Sequence, residues 1–301
     1  MIPAAFEYER ATSLDEALDL IARHGPEAKV IAGGQSLLPL MKLRLARPER
    51  LIDIARLTEL RGVRAAPGGG LAIGALTTYA ELLDDPVIGS FGVFADALPR
   101  IGDVQVRNRG TIGGSIAHAD PAADLPAVLL ALDAEVVARS AARGQRSIDI
   151  GAFFEGAFTT ALAEDELLTE VRLPAPLTSV GSAYQALEQQ ASGYPIAGVA
   201  AVIGPDLVRI AVTGVGDHPY RATRMESSLA DWASGSGSAD GRGAFDRPGS
   251  TVNFAAVAAA VDQITDGVEV NGDIHADTEY RAAMAQVMAM RAITLARTRL
   301  G

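Results

Sequence analysis

There is no cysteine anywhere in the 301 residues. That excludes disulfides, thiolate nucleophiles and every iron–sulfur cluster that depends on cysteine ligands, so any redox chemistry must come from a borrowed cofactor. Histidine is nearly as scarce: His24, His118, His218 and His275 stand far apart, none forms a ligand pair at helical spacing, and no protein-bound metal is expected. Basic residues are few and dispersed, 26 Lys and Arg against 37 Asp and Glu, and the net charge of -11 argues against a nucleic-acid partner, whose phosphates are held by clustered cations. No apolar run approaches the roughly 20 residues that cross a bilayer. The opening MIPAAFEYER lacks the basic-then-apolar order of a secretory signal. A cytoplasmic protein without a membrane span is expected. Also missing are a Ser-His-Asp set, a paired acid and base, and a metal cage, which fits chemistry carried by a cofactor.

What is present is ample material for a core, with 49% apolar residues. The length predicts two domains, 1–176 and 177–301, the first in subdomains of about 1–55 and 56–176, with the boundary at Pro174-Ala175-Pro176 because prolines interrupt helices and central strands. Ser13-Leu14-Asp15-Glu16 reads as a capping box opening a helix that Gly25 stops. Ala28 to Ala32 reads as a strand ending at Gly33-Gly34, and Leu51 to Ile54 as a second strand. Val63 and Leu71 to Ala75 flank Pro67-Gly68-Gly69-Gly70, which is hairpin chemistry. Thr78-Tyr79-Ala80-Glu81 is another capping box, a helical stretch runs from Phe91 to Leu98, and Ala134 to Val137 and Leu167 to Leu173 read as strands. Beyond the boundary, three strands, at 182–187, 199–203 and 208–212, precede helices, which predicts a small α+β domain. The Gly-, Ser- and Asp-rich 234–250 reads as a flexible loop. A final helix, about 278–299, sets Met284, Val287, Met288, Ala292 and Leu295 on one side as a packing stripe.

Two loops share one character. Ala32-Gly33-Gly34-Gln35-Ser36 and Thr111-Ile112-Gly113-Gly114-Ser115 each join two glycines to small polar side chains beside apolar sequence. Glycine permits positive φ and removes Cβ, so backbone N–H groups can close around a phosphate while Ser and Thr add hydroxyls. Read singly, each is equally a tight turn. Neither is a G-x-G-x-x-G fingerprint or a P-loop, so the common nucleotide folds are not indicated.

In context, the two loops resemble those of a known family, the FAD-binding medium subunits of molybdenum hydroxylases, which include aerobic carbon monoxide dehydrogenase and the flavin portion of xanthine dehydrogenase. The resemblance is carried by Phe6-Glu7-Tyr8, IAGGQSLLPLMKLRLARPERLIDI from Ile31 to Ile54, IGALTT from Ile73 to Thr78, and QVRNRGTIGGSIAHADPAADLPAVLLAL from Gln105 to Leu132. It continues in ELLTEVRLPAP, Glu166 to Pro176, and EYRAAMAQVMAMRA, Glu279 to Ala292. The resemblance implies an α+β fold: a two-subdomain FAD-binding domain of the vanillyl-alcohol-oxidase/PCMH type, then a small α+β C-terminal domain with a three-stranded sheet and helices.

Position by position, the resemblance implies that Val30 and Ile31 lead into a first loop, Ala32, Gly33, Gly34, Gln35, Ser36 and Leu37, whose amides wrap the FAD diphosphate. Gly110, Thr111, Gly114, Ser115, Ala117 and His118 match FAD-lining positions. Asp124 matches a carboxylate at the ribose or adenine end; as a local reading it is equally a helix N-terminal carboxylate ahead of Leu125. Leu168 matches an apolar position beside the flavin, or is simply a buried strand residue. Tyr194 matches an aromatic near the isoalloxazine, or is an ordinary core or surface tyrosine. Ala186 and Gln189 depart from the family, which commonly has Lys at the first position and often a basic residue at the second. That puts in doubt flavin contacts from side chains in 184–189. Distant flavoproteins of this fold attach FAD through histidine, which makes His118 the residue to check, but this family binds it noncovalently. Arg107 and Arg109 are left unassigned. The resemblance further implies iron–sulfur clusters and a molybdenum cofactor on small and large partner subunits, a dimer of heterotrimers, and an external electron acceptor. Carbon monoxide is one candidate substrate for the whole complex. A free-standing FAD oxidoreductase and a flavin-free scaffold or assembly protein of the same fold are the alternatives.

Overall fold

The computed structural model describes residues 2–176, 178–234 and 254–300. Its first unit is a three-stranded parallel sheet: β1 (Glu7–Arg10), β2 (Ala28–Ile31) and β3 (Arg50–Asp53), ordered β1-β3-β2, with helices α1 (Leu14–His24) and α2 (Leu37–Lys42) between them. The Ser13 hydroxyl accepts from the Glu16 N–H at 3.1 Å, and Gly25 ends α1 at φ 52°. Only half of the expected capping box forms, because the Glu16 carboxylate turns to the N–H of Thr12 at 2.7 Å. Strand β1 was not legible in the sequence, since EYER carries no apolar alternation; it is an exposed edge held by its pairing to β3.

The second unit is a five-stranded antiparallel sheet, β4-β5-β10-β6-β7, built from β4 (Val63–Ala65), β5 (Leu71–Gly74), β6 (Glu135–Ser140), β7 (Gly144–Asp149) and β10 (Leu167–Leu173). Between β5 and β6 run six short helices: α3 (Tyr79–Asp84), α4 (Pro86–Gly89), α5 (Gly92–Ala97), α6 (Val104–Arg107), α7 (Ile112–His118) and α8 (Asp124–Ala131). A small hairpin, β8 (Phe154–Gly156) and β9 (Thr159–Thr160), precedes β10. At Thr78 both halves of the capping box are made. Helix α8 is buried on every side, which its sequence DLPAVLLA requires.

The last unit is an antiparallel sheet of β11 (Gly181–Glu188), β12 (Pro195–Gly204), β13 (Leu207–Thr213) and β14 (Tyr220–Arg221), with helices α9 (Thr223–Ser234), α10 (Phe254–Val261) and α11 (Thr278–Thr298). The two-residue β14 makes the sheet four-stranded where three strands are expected; it is too short to show a pattern. Of the predicted loop 234–250, Ser234 closes α9 and the remainder lies outside the described residues. Strand β12 is continuously apolar because both sheet faces are covered: Ala200 and Val202 join the core around α5 and α8, while Val199, Ala201 and Ile203 join the core under α11. The stripe on α11 also differs from expectation. Val287 is exposed, and Ala285, Met288, Ala289, Ala292, Ile293 and Ala296 face the sheet, because alanines let the helix approach closely. At the tightest point a Cβ on Gly181 would lie 1.8 Å from the Ala296 carbonyl oxygen.

Candidate functional site

The first glycine loop joins β2 to α2, and its two glycines are required for different reasons. A Cβ on Gly33 would lie 2.0 Å from the carbonyl oxygen of Arg109, so this residue packs against the chain that leads into the second loop. Gly34 adopts φ 73°, the left-handed region that L side chains disfavour. Among the described residues, the N–H groups of Gly33, Gly34, Gln35 and Ser36 donate to no protein acceptor, while the carbonyls of Gly34 and Ser36 receive Leu38 and Leu40 at 3.1 and 3.2 Å. Four unpartnered amides in a row form a concave donor surface for an anion.

The second loop is built the other way. Ile112 and Gly113 donate to Thr77 and Ala75 at 3.0 and 2.9 Å, Ser115 donates to the Thr111 carbonyl at 3.0 Å, and Gly114 donates to the Thr111 hydroxyl at 3.1 Å. Gly113 lets the loop lie on β5's end, where a Cβ would meet that of Ala75 at 2.5 Å. Gly114 is exposed, and a Cβ there would meet only the Thr111 hydroxyl, at 2.8 Å. This loop therefore offers a Cβ-free surface and the hydroxyl of Ser115. Tyr79 lines the cleft with it, its phenol pushed up to about 12 by burial. The Tyr79 ring packs where a side chain at Gly110 would stand, 2.5 Å away.

Between the loops lies a cleft in two compartments. The larger, about 390 Å³, is lined by 30–37, Gly110, Thr111, Gly114, Ser115, Ala117, His118 and Leu168. The smaller, about 210 Å³, holds Asp124 and Tyr194. Gln35, Ser36, Tyr79, Ser115 and His118 border both, so the glycine loops sit at the junction. Every residue that the resemblance assigns to the cofactor lines one compartment or the other, whereas Arg107, Arg109, Ala186 and Gln189 line neither. Asp124 and Tyr194, assigned from the resemblance to opposite ends of the cofactor, share one compartment, and Leu168 lies in the other.

Asp124 opens α8 and is buried. Its Oδ1 accepts from the Tyr184 hydroxyl at 2.8 Å, and Tyr184 is itself fully enclosed, in space left by Gly198, where a Cβ would stand 2.3 Å from that hydroxyl. Burial raises the Asp124 carboxyl to about 7, against the opposing hydrogen bond from Tyr184. The segment before it is held from the C-terminal sheet: the Thr213 hydroxyl lies 2.8 Å from the carbonyl oxygens of both Pro121 and Ala123, and the Gly214 N–H donates to Pro121 at 2.8 Å. Buried Arg281 donates to the carbonyls of Ile196 and Gly214 at 2.8 and 2.6 Å, bracing the strand that follows Tyr194.

Tyr194 is 44% exposed at the β11–β12 turn. Gln189 shapes that turn, donating its N–H to the Tyr194 carbonyl at 2.8 Å and accepting the Ser192 N–H at 2.5 Å, while Ala186 packs against the central core. Arg107 is a brace, its guanidinium donating to the carbonyls of Pro99, Ile101 and Gly102. His118 is lowered below the usual imidazole range by burial, so it is neutral at neutral pH, and its ring centroid is 5.1 Å from that of Phe158. Tyr79, Phe158 and Tyr184 were missed as site residues. Tyr79 directly follows the recognisable IGALTT, but the others carry no local signal. Among the described residues, no group of three or more His, Cys, Asp or Glu is placed to hold a metal, and no helix is long and apolar enough to cross a membrane.

Comparison with known proteins gives the family. The family described as FAD binding domain in molybdopterin dehydrogenase matches residues 4–176. The carbon monoxide dehydrogenase medium chain of Hydrogenophaga pseudoflava is 38% identical over 302 aligned residues, covering 98% of each chain. The glyceraldehyde dehydrogenase medium chain of Sulfolobus acidocaldarius is 35% identical, covering 97% of this chain and 98% of that one. The solved structure of the Hydrogenophaga pseudoflava carbon monoxide dehydrogenase lacking the Mo-pyranopterin moiety of its cofactor matches with a TM-score of 0.89 at 38% identity over 100% of both chains. With a free-amide cradle, a Cβ-free facing loop and likeness along its whole length, the chain belongs to the FAD-binding family of the molybdopterin dehydrogenases.

Proposed function

We propose that this chain is the FAD-binding electron-transfer subunit of a molybdenum-containing hydroxylase or dehydrogenase. It takes electrons from a small iron–sulfur subunit and passes them to an external acceptor. A large molybdenum subunit oxidises the substrate, for which carbon monoxide is a candidate, and the assembly is a dimer of heterotrimers in the cytoplasm. The observation that carries this reading is the row of free N–H groups from Gly33 to Ser36 at the junction of a two-compartment cleft.

The diphosphate rests on those amides and on the Ser115 hydroxyl, with Gly114 leaving it room. Tyr194 and Asp124 border the isoalloxazine end, and Leu168 borders the adenosine end. This reading differs from the ribose or adenine role for Asp124 and the flavin-ring role for Leu168, and it is supported by the lining, in which Asp124 borders the same compartment as Tyr194 and Leu168 borders the other. Residues 1–176 form the FAD-binding domain, and 177–301 contribute the Tyr194 turn and the Tyr184 support. Bound FAD supplies a two-electron store that can be filled and emptied singly. The chain's own residues bind it without a covalent link, orient it and limit water access. The test is to purify the complex, release and identify its cofactors, and compare a variant carrying Gly33→Val and Gly114→Val. FAD released without covalent linkage, and lost from the folded variant, is the expected result. A native complex that holds no flavin after reconstitution with FAD overturns the reading.

A further inference from the structure

The β8–β9 hairpin turns through Ala157 and Phe158, and Phe158 adopts φ 56°. Left-handed backbone is the province of glycine and asparagine at hairpin corners, and a bulky aromatic there is strained. Nothing in the core compensates, for the side chain is 59% exposed. The strain is held in place from one direction: the Phe158 N–H donates at 2.9 Å to the carbonyl of Ala119, itself left-handed at φ 49°, where α7 ends. The hairpin is thereby fastened to the helix that begins at the second glycine loop. Its ring lies beside the His118 ring, on the wall of the larger compartment, which Ala117, Leu162 and Leu168 also line.

A strained, exposed aromatic maintained on the wall of a binding cleft is best explained by what it touches in the bound state. We infer that Phe158 is a binding residue for the adenine ring of the dinucleotide, offering a π-face beside His118 in the larger compartment. The inference rests on the FAD reading above and goes further in naming the residue and the half of the ligand that it recognises. The ring is an apolar surface for a flat heterocycle. His118, half-buried and held below the usual imidazole range by that burial, adds a second face without a charge that would demand water. Isoalloxazine recognition falls to the other compartment, with Tyr194.

The experiment removes FAD from the purified complex and follows its rebinding to the wild type and to Phe158→Gly, Phe158→Leu and Phe158→Trp, with ADP and riboflavin 5'-phosphate as competing half-ligands. Glycine relieves the backbone strain as it deletes the ring, so the FAD-free Phe158→Gly complex is expected to melt no lower than wild type. Its affinity for FAD and for ADP falls about tenfold, the size of one lost ring stack. Phe158→Trp restores ADP binding, Phe158→Leu does not, and competition by riboflavin 5'-phosphate is unchanged in all three. Unchanged FAD and ADP affinity in Phe158→Gly overturns the inference and leaves the FAD reading standing. So does a loss confined to riboflavin 5'-phosphate, or a lower melting temperature of the FAD-free variant, which would make the ring a folding element. Failure of the wild type to rebind FAD overturns the underlying reading instead.

Discussion

At Gly33-Gly34 the four backbone N–H groups from Gly33 to Ser36 line the cleft without partners among the described residues; at Gly113-Gly114 the N–H groups from Ile112 to Ser115 are all bonded within the protein. The first loop is a donor surface and the second is a fitted wall. Each also uses one glycine for close approach, Gly33 against Arg109 and Gly113 against Ala75. The remaining pair differs: Gly34 supplies a left-handed turn, whereas Gly114 leaves space over the cleft. The lesson is that a repeated sequence motif does not imply a repeated role, since a peptide N–H binds a ligand only if the fold has left it free.

The sharpest way to break this comparison is Gly33→Ala. Its Cβ cannot be accommodated without parting the loops, at a cost of about 3 kcal/mol, which is about a hundredfold in FAD affinity. Bound FAD per chain and the melting temperature of the FAD-free protein should both fall. Gly34→Ala comes next. Holding alanine at positive φ costs about 1–2 kcal/mol, roughly tenfold in affinity, and titration with FAD should show it, with Gly34→Asn milder because asparagine tolerates that backbone. On the second loop, Thr111→Ala removes the cap that accepts the Gly114 N–H and should lower stability by about 1 kcal/mol with and without FAD alike, as denaturant melts would reveal. Gly114→Ala should change the FAD-free protein by less than about 1 kcal/mol, since glycine to alanine in a helix offsets part of the crowding at Thr111, yet still weaken FAD binding. Equal effects of Gly34→Ala and Gly114→Ala on the FAD-free protein would erase the distinction.

Asp124→Asn should disturb the loops least, for Asp124 touches neither. What it changes is pH dependence. With its carboxyl raised to about 7 in the folded state, Asp124 keeps a proton there that the unfolded chain releases near the ordinary aspartate value of about 4. Its contribution to stability is therefore greatest below that ordinary value and declines as pH rises toward 7. Urea midpoints measured across this range should fall with rising pH in the wild type, and that component should be absent in Asp124→Asn.

Much of this could be read from the chain. The caps at Ser13 and Thr78, the stop at Gly25, the hairpin around Pro67 to Gly70 and the run at Leu167 to Leu173 are local signals, acting over a few residues, and each marks an observed element. The two loops and their neighbours were legible because backbone shape there depends on glycine and a small hydroxyl. Less legible were β1 and β14, whose pairing partners are distant, and the face of α11, where alanines set the approach to the sheet more than the larger side chains did.

The sequence by itself determined the absence of thiol chemistry, the α+β character and the resemblance to a flavin-binding family. Only the tertiary structure decided which glycine loop retains free amides, that Asp124 and Tyr194 share a compartment, that Tyr184 from β11 supports Asp124, and that Phe158 is strained at the cleft wall. The physical reason is range. Caps and turns follow from neighbours along the chain, whereas an N–H left unpaired, a tyrosine hydroxyl 60 residues from its carboxylate, or a ring on left-handed backbone depends on what remote segments bring alongside.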